Sequence, residues 1–432
     1  PDELERESLE HQAFARSRTQ SYLPREGLFS KLDSMLEQEA PSVMVVKGAS
    51  GSGKTALLAA WLDHAKEHLP KRAFFHFIGG NAESSSADKI VFRLLKTIRK
   101  WGDVDEQMPD NIGDAVEKLP EWLGKAAEGG SILLVMDALN QLEDERDQAL
   151  WWLKSLPNGV RLIVSTLPGI AERSLHDRGW LGSSNTLEIP LLNKTEKRGI
   201  IQSYLARTSR TIEENHLARI AEAPQTDNPL FLKVMLDELR IRAWHDNFQI
   251  ILERLLGASD LAFLLGQVLE NLEEYDRDRP RLVRESLSYL AVARRGLTEP
   301  ELLELLSPSE SPALEPLPRH YWSGLFLALE ESMVNKNGQL FFFHDFLKQA
   351  IIQKYLGNAQ SRIKIHRRLG EVAMCWDTDR FGASLRQYGL QHGVYHLALG
   401  GRINAALKLA KSEAFVSEYQ KLPGGLYVLI EQ

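Results

Sequence analysis

The stretch Val43-Met44-Val45-Val46-Lys47-Gly48-Ala49-Ser50-Gly51-Ser52-Gly53-Lys54-Thr55 decides the fold. Its first four residues are apolar and mostly β-branched, and read as a short buried strand. Residues 48–55 then fit G-x-x-x-x-G-K-[ST] in full. Leu57, Leu58, Trp61, Leu62 and Ala65 follow at helical spacing. A strand, a glycine-rich turn and a helix in that order make a phosphate-binding loop. Glycines let the backbone approach phosphate oxygens without a Cβ in the way. The N–H groups of Ser50, Gly51, Ser52, Gly53, Lys54, Thr55 and Ala56 are expected to converge on the phosphates, helped by the positive end of the helix. Lys54 would neutralise the β and γ oxygens, and the Thr55 hydroxyl is a hard oxygen suited to Mg²⁺.

Outward from this loop, strands and helices alternate. Ala73–Ile78 reads as a strand, and Ile90, Val91, Leu94, Leu95 and Ile98 as one helix face. Ile132-Leu133-Leu134-Val135-Met136 is fully apolar and ends in Asp137. A carboxylate at the end of a sheet strand beside a phosphate site can hold Mg²⁺; elsewhere it would simply cap a turn. Leu150–Leu156 reads as helical, Val160–Ser165 as a strand after the turn Pro157-Asn158-Gly159, and Leu187–Leu191 as a weaker strand. Continuous apolar strands separated by helices predict a parallel sheet buried on both faces. Residues 1–22 are polar without a strong period, and a helix face of Leu28, Phe29, Leu32, Met35 and Leu36 follows Arg25.

After about residue 193 the strand signal nearly stops. Asn193 with Glu196 predicts a helix N-cap pair, and helices run to about residue 275. The charged run Glu273–Arg281 marks a boundary. Beyond it come helices at Leu282–Ala293, after Thr298-Glu299-Pro300-Glu301, and near Tyr321–Leu329. Met333-Val334 and Leu340–Phe343 flank Asn335-Lys336-Asn337-Gly338, a hairpin signal. Three helices and a hairpin suggest a winged helix. The resulting expectation is an α/β parallel-sheet P-loop NTPase domain of the additional-strand type, followed by an all-α lid, a winged-helix domain and a helical C-terminal region. Its parts are an N-terminal linker and adenine-side segment (1–40), the nucleotide-binding domain (41–193), the lid (194–275), the winged helix (276–356), and a helical arm (357–432) that could begin a repeat array.

The composition sets further bounds. The chain has 432 residues, 43% hydrophobic and 26% charged, which is ordinary globular usage. A net charge of −7 argues against whole-chain attraction to nucleic acid or anionic lipid. Cys375 alone excludes an internal disulfide framework and fits a reducing, cytoplasmic compartment. No apolar run approaches the roughly 18–20 residues that cross a bilayer. The chain begins at Pro1 without Met and reads as a piece of a longer or processed protein. His392 and His396 lie four apart on a helix, a spacing zinc could use, but no third ligand is evident and a plain helix face accounts for them.

Several segments together resemble the STAND class of signal-transduction NTPases, and within it the NACHT-like group with telomerase-associated-protein and nephrocystin relatives. Asp137-Ala138-Leu139-Asn140-Gln141-Leu142 looks like that group's metal-binding strand end. Asn228-Pro229-Leu230-Phe231-Leu232 looks like the Pro motif of its helical domain, which implies that Pro229 lies against the base. Phe342-Phe343-His344-Asp345-Phe346 looks like the winged-helix His-Asp motif, which implies that His344 touches the β-phosphate of ADP. Leu23-Pro24-Arg25-Glu26 sits where the class has an Arg motif near adenine. On the residues alone, Pro229 is an ordinary helix N1 proline, His344 a core histidine at a strand end and Arg25 a solvated helix start.

The resemblance implies ATP/ADP and Mg²⁺ as cofactors, with Thr55 and Asp137 as the metal side. It implies an ADP-locked closed form, self-oligomerisation in the ATP state, and effector and sensor regions outside this chain. It extends to bacterial antiviral proteins of the class, so defence is one implied setting. Lys54, Asp137, Asn140 and Gln141 are the implied catalytic set. Ala138 stands where many P-loop ATPases have a second acid, and Asn140 and Gln141 can orient water but are poor bases. Slow hydrolysis is therefore expected. The competing reading is an AAA+-like DNA-binding ATPase with a winged helix, of origin-recognition or loader type. That reading needs a basic recognition helix, whereas the segment from Arg319 to Glu331 is not basic.

Overall fold

In the computed structural model, the described residues are 2–422, apart from 20–21, 81–83, 103, 143–149, 208–210, 244–246, 276–279, 308–314, 330–332, 337 and 343–344. They form two units, residues 1–256 and 257–432.

The first unit is built on a parallel sheet. Its elements are α1 (Glu3–Thr19), α2 (Glu26–Glu37), β1 (Ser42–Lys47), α3 (Lys54–His64), β2 (Arg72–Phe77), α4 (Ala87–Lys100), α5 (Ile112–Glu128), β3 (Ile132–Asp137), β4 (Val160–Thr166), α6 (Ile170–Asp177), β5 (Thr186–Glu188), α7 (Lys194–Arg207), α8 (Glu214–Glu222), α9 (Pro229–Arg242) and α10 (Phe248–Leu256). The strand order is β2-β3-β4-β1-β5 and every pairing is parallel. The later strand β4 therefore lies between the P-loop strand and the Asp137 strand, as the additional-strand reading requires.

Both faces of the sheet are covered, which is why its strands are apolar without alternation. Leu133, Val135 and Ile163 pack with α2 and α3 on one face. Ile132, Leu134, Met136, Leu162 and Val164 pack with α4, α5 and α6 on the other. All six residues of β3 are buried, so Asp137 ends a strand with no exposed position.

Two local readings differ from the sequence expectation. Leu150–Leu156 contains no helix: the described stretch is a turn and irregular chain, with Leu150 at φ 57 and its carbonyl accepting from Leu153 N–H. Burial of Leu150, Trp152 and Leu153 fixes this segment instead. Residues 3–19, expected as polar linker, form the 17-residue helix α1. Its apolar face is narrow. His11 is buried, Phe14 and Ala15 pack on the α3-side core, and Lys96–Glu3, Lys100–Glu5 and Arg93–Glu7 ion pairs tie it to α4.

Helix α1 serves the edge of the sheet. An edge strand presents unpaired N–H and C=O groups that must find partners. Here His11 Nδ1 accepts from the Phe77 N–H at 3.2 Å, and Arg93 donates to the Phe75 carbonyl at 3.0 Å.

The second unit comprises α11 (Leu261–Tyr275), α12 (Pro280–Val292), β6 (Leu297–Thr298), α13 (Glu299–Leu305), α14 (Arg319–Leu329), β7 (Met333–Lys336), β8 (Gln339–Phe342), α15 (Asp345–Tyr355), α16 (Ala359–Met374), α17 (Ala383–Leu399), α18 (Ile403–Ala410) and α19 (Glu413–Gln420). Strands β6, β8 and β7 form an antiparallel sheet in that order. Helix α11, expected with the lid, packs on α12 and α15. Thr298 and Glu301 form the expected capping box at α13. Helices α16 and α17 approach closely because Gly393 faces Ala373; a Cβ there would sit 2.1 Å from the Ala373 Cβ. Among the described residues no helix is long and apolar enough to cross a membrane.

Candidate phosphate-binding site

The turn from β1 into α3 requires its glycines. Gly51 has φ +76 and Gly53 φ +94, the left-handed region. A Cβ on Gly48 would meet Ser52 Oγ at 2.8 Å. Because α3 begins at Lys54, the N–H groups of its first turn have no partner one turn back. Lys54 is buried, and its ammonium donates to the carbonyls of Gly48 at 2.8 Å and Ala49 at 3.0 Å. Burial lowers its pKa to about 8, against the pull of the Asp137 charge.

The Asp137 carboxylate joins the loop to the sheet. Thr55 Oγ1 donates to one oxygen at 2.6 Å, and Ser165 Oγ donates to the other at 2.5 Å. Ser165 in turn accepts from the Ala138 N–H at 2.8 Å, where Ala138 has φ 62. Burial pushes the Asp137 pKa up, while the two hydroxyl bonds and the charges of Lys54 and Arg18 hold it down. Two hard oxygens on Thr55 and Asp137, already within hydrogen-bond distance, are a donor set that suits Mg²⁺.

Other expected site residues are placed as follows. Asn140 and Gln141 are exposed in the short helical turn Leu139–Gln141 after Asp137. The Gln141 amide reaches the end of β2: a Cβ on Gly79 would come within 2.0 Å of Gln141 Oε1. Pro229 is the first residue of α9, and its neighbour Asn228 makes the contacts. Asn228 Oδ1 caps the helix by accepting from Leu230 and Phe231 N–H, its Nδ2 donates to the Ser50 carbonyl at 3.2 Å, and Leu230 N–H donates to Gly51 O at 3.3 Å. The start of α9 is thus bonded to the phosphate loop itself. Arg25 is half of a bidentate pair with Glu196, at 2.7 and 3.4 Å, and also donates to the Pro190 carbonyl at 3.0 Å. Glu196 forms the expected reciprocal cap with Asn193. His344 lies outside the described residues.

Sequence reasoning missed Ser165, Asn228 and Glu196. Ser165 had a usable signal: once β4 is inserted beside β3, the register pairing Met136 with Val164 puts Ser165 beside Asp137.

Residues 29–166 match the family described as Nephrocystin 3, N-terminal. A TPR repeat-containing protein of Dictyostelium discoideum is 23% identical over 85% of this chain and 26% of its own length. Nephrocystin-3 of Xenopus laevis is 25% identical over 64% of this chain and 22% of its own length. A solved STAND protein with a tetratricopeptide repeat sensor from Pyrococcus horikoshii has TM-score 0.50 at 14% identity, covering 91% of this chain and 51% of that one. The resemblance to the nephrocystin relatives of the STAND class is therefore borne out, and the α/β P-loop NTPase fold with it. The chain spans about a quarter of the length of the curated relatives.

Proposed function

We propose that this chain is the nucleotide-gated module of a signal-transducing STAND-type NTPase. The observation that carries the reading is the Thr55–Asp137 bond at the mouth of a complete phosphate loop. A hydroxyl and a carboxylate paired in this way are oxygen ligands that the Mg²⁺ of a bound nucleoside triphosphate would take. Mg²⁺, when bound, would neutralise phosphate charge. Lys54 would leave the Gly48 and Ala49 carbonyls to pair with phosphate oxygens, and the loop N–H groups from Ser50 to Ala56 would cradle them.

The gating part of the proposal has its own support. The start of α9 is hydrogen-bonded to Ser50 and Gly51, so a change in the loop would bear directly on that helix. ADP would favour a closed form and ATP a form competent to self-associate and pass a signal to effector regions outside this chain, in the cytoplasm and with antiviral defence as one setting. Reading β6–β8 with α12–α14 as a winged helix, and His344 as its contact to the β-phosphate, rests on element order and the sequence motif. Hydrolysis is proposed to be slow, because Ala138, Asn140 and Gln141 supply no strong base after Asp137. The DNA-handling alternative gains nothing from α14, whose Arg319 is paired to Glu299 at 2.5 Å.

Light scattering of the purified chain in ADP–Mg²⁺ and in a non-hydrolysable ATP analogue with Mg²⁺ tests the gate. Larger assemblies with the triphosphate support it. The same mass in both would leave a nucleotide-binding module without a switch.

A further inference from the structure

Helix α1 carries one cation to the flank of the candidate site. Phe14 packs against Phe77 with ring centroids 5.6 Å apart and the rings tilted by 48°, and Phe77 is the β2 residue in register with Asp137. The Asp137 carbonyl also accepts from Ile78 N–H at 3.2 Å, so the ends of β2 and β3 are joined there. Arg18, one helical turn after Phe14, lies over the Phe14 ring at 4.4 Å from its centroid. A cation over an aromatic face is held in direction as well as attracted. Burial lowers the Arg18 pKa, against the pull of the Asp137 charge. The helix that presents Arg18 is anchored by the His11 bond to Phe77 N–H, three residues before Phe14.

The strand β4 end offers no such cation. It reads Val164-Ser165-Thr166, and Ser165 is committed to Asp137 and Ala138. A γ-phosphate bound over Lys54 and Thr55 adds negative charge beside Asp137, and that carboxylate repels it. A guanidinium approaching from the β2 side would offset the repulsion, and its N–H groups suit a terminal phosphate.

We propose that Arg18, delivered by α1 from before the sheet, is the residue through which this chain tells a nucleoside triphosphate from a diphosphate. This rests on the nucleotide-binding reading of the phosphate loop. Arg18 would act on the terminal phosphate and not on the two that the loop already cradles, so its loss affects one ligand and not the other. The helix expected to be a linker then becomes part of the site.

The test is titration of the whole chain with ADP–Mg²⁺ and with a non-hydrolysable ATP analogue and Mg²⁺, in wild type, Arg18→Ala and Arg18→Lys. A lost charge-assisted hydrogen bond predicts about tenfold or more weaker analogue binding in Arg18→Ala, with ADP affinity within about twofold because the cradle is intact. Arg18→Lys keeps the charge and recovers part of the loss. Retained ADP binding shows that the variant is folded at the site. Equal weakening of both ligands, or no change in either, overturns the role of Arg18 and leaves the nucleotide reading standing. Wild-type protein that binds neither ligand overturns both.

Discussion

The side-chain amide of Asn228 donates to the carbonyl of Ser50 at 3.2 Å, across 178 residues of sequence. The same side chain caps α9 through Leu230 and Phe231 N–H. One residue therefore begins a helix and fastens that beginning to the phosphate loop.

Asn228→Ala should cost about 0.5–2 kcal/mol as a lost N-cap. Asn228→Asp keeps the cap oxygen but has no amide to give Ser50. Chemical denaturation should find the aspartate variant close to wild type and the alanine variant less stable, while both change nucleotide affinity. Unchanged affinity in both would show that the contact does not influence the loop.

Gly51→Ala combines two penalties. The residue has φ +76, and an added Cβ would lie 2.9 Å from both Asn228 Oδ1 and Leu230 Cβ. Left-handed backbone alone costs about 1–2 kcal/mol in a residue with a side chain. The expected outcome is a lower melting temperature and loss of nucleotide binding, with Gly53→Ala, which meets no atom within 4 Å, losing less stability. Equal melting temperatures for the two would contradict the close approach at Gly51.

In the second unit, Glu301 is fully buried and accepts from Arg295 at 2.8 and 3.2 Å, Ser384 at 2.6 Å and Thr298 N–H at 2.8 Å. Removing one partner of a buried ion pair typically costs about 3–5 kcal/mol. Glu301→Ala should destabilise the unit on that scale, and Arg295→Met combined with Glu301→Leu should recover much of it. A double variant no more stable than Glu301→Ala would argue against an uncompensated charge as the cause.

The histidines of α16 and α17 make the same unit sensitive to acid. Tyr388 OH accepts from Arg294 N–H at 3.3 Å and meets His396 Nε2 at 2.8 Å, while His396 Nδ1 meets His366 Nδ1 at 2.8 Å. Burial lowers all three histidine pKa values, to about 4 at His392. Arg294 and Arg295 add to the lowering at His392, against the pull of Glu301; His366, His392 and Arg294 add to it at His396, and Arg362 at His366. A folded-state pKa below the unfolded 6.5 means that the unfolded chain binds more protons. Stability is then full above pH 6.5 and falls as pH drops toward 4. Melting temperature against pH should show that slope, shallower in His392→Gln. A flat profile from pH 7 to 4.5 would contradict it.

The sheet order and the phosphate loop with its Thr55–Asp137 pair were legible because each has a local cause. The glycines, Lys54 and Thr55 are adjacent in sequence, and Asp137 ends a run too apolar to lie anywhere but mid-sheet. Helix α1 was not legible, because a helix that covers an edge with His11 and a few partly buried residues has no wide apolar stripe, and its ion pairs are to residues about 90 positions away. Leu150–Leu156 has helical spacing, yet its buried residues Leu150, Trp152 and Leu153 are held by a turn and the irregular chain after it. Arg25 resembled an adenine-side residue; its bidentate partner Glu196 lies 171 residues on and had no sequence signal beyond its capping position.

The gate requires that this loop bind a nucleotide through Lys54 and the Thr55–Asp137 pair. Calorimetric titration of wild type, Lys54→Ala and Asp137→Asn with ADP and a non-hydrolysable ATP analogue, each with and without Mg²⁺, measures it directly. Saturable binding is expected in wild type, none in Lys54→Ala, and loss of the Mg²⁺ dependence in Asp137→Asn. Undiminished affinity in a folded Lys54→Ala chain would contradict it.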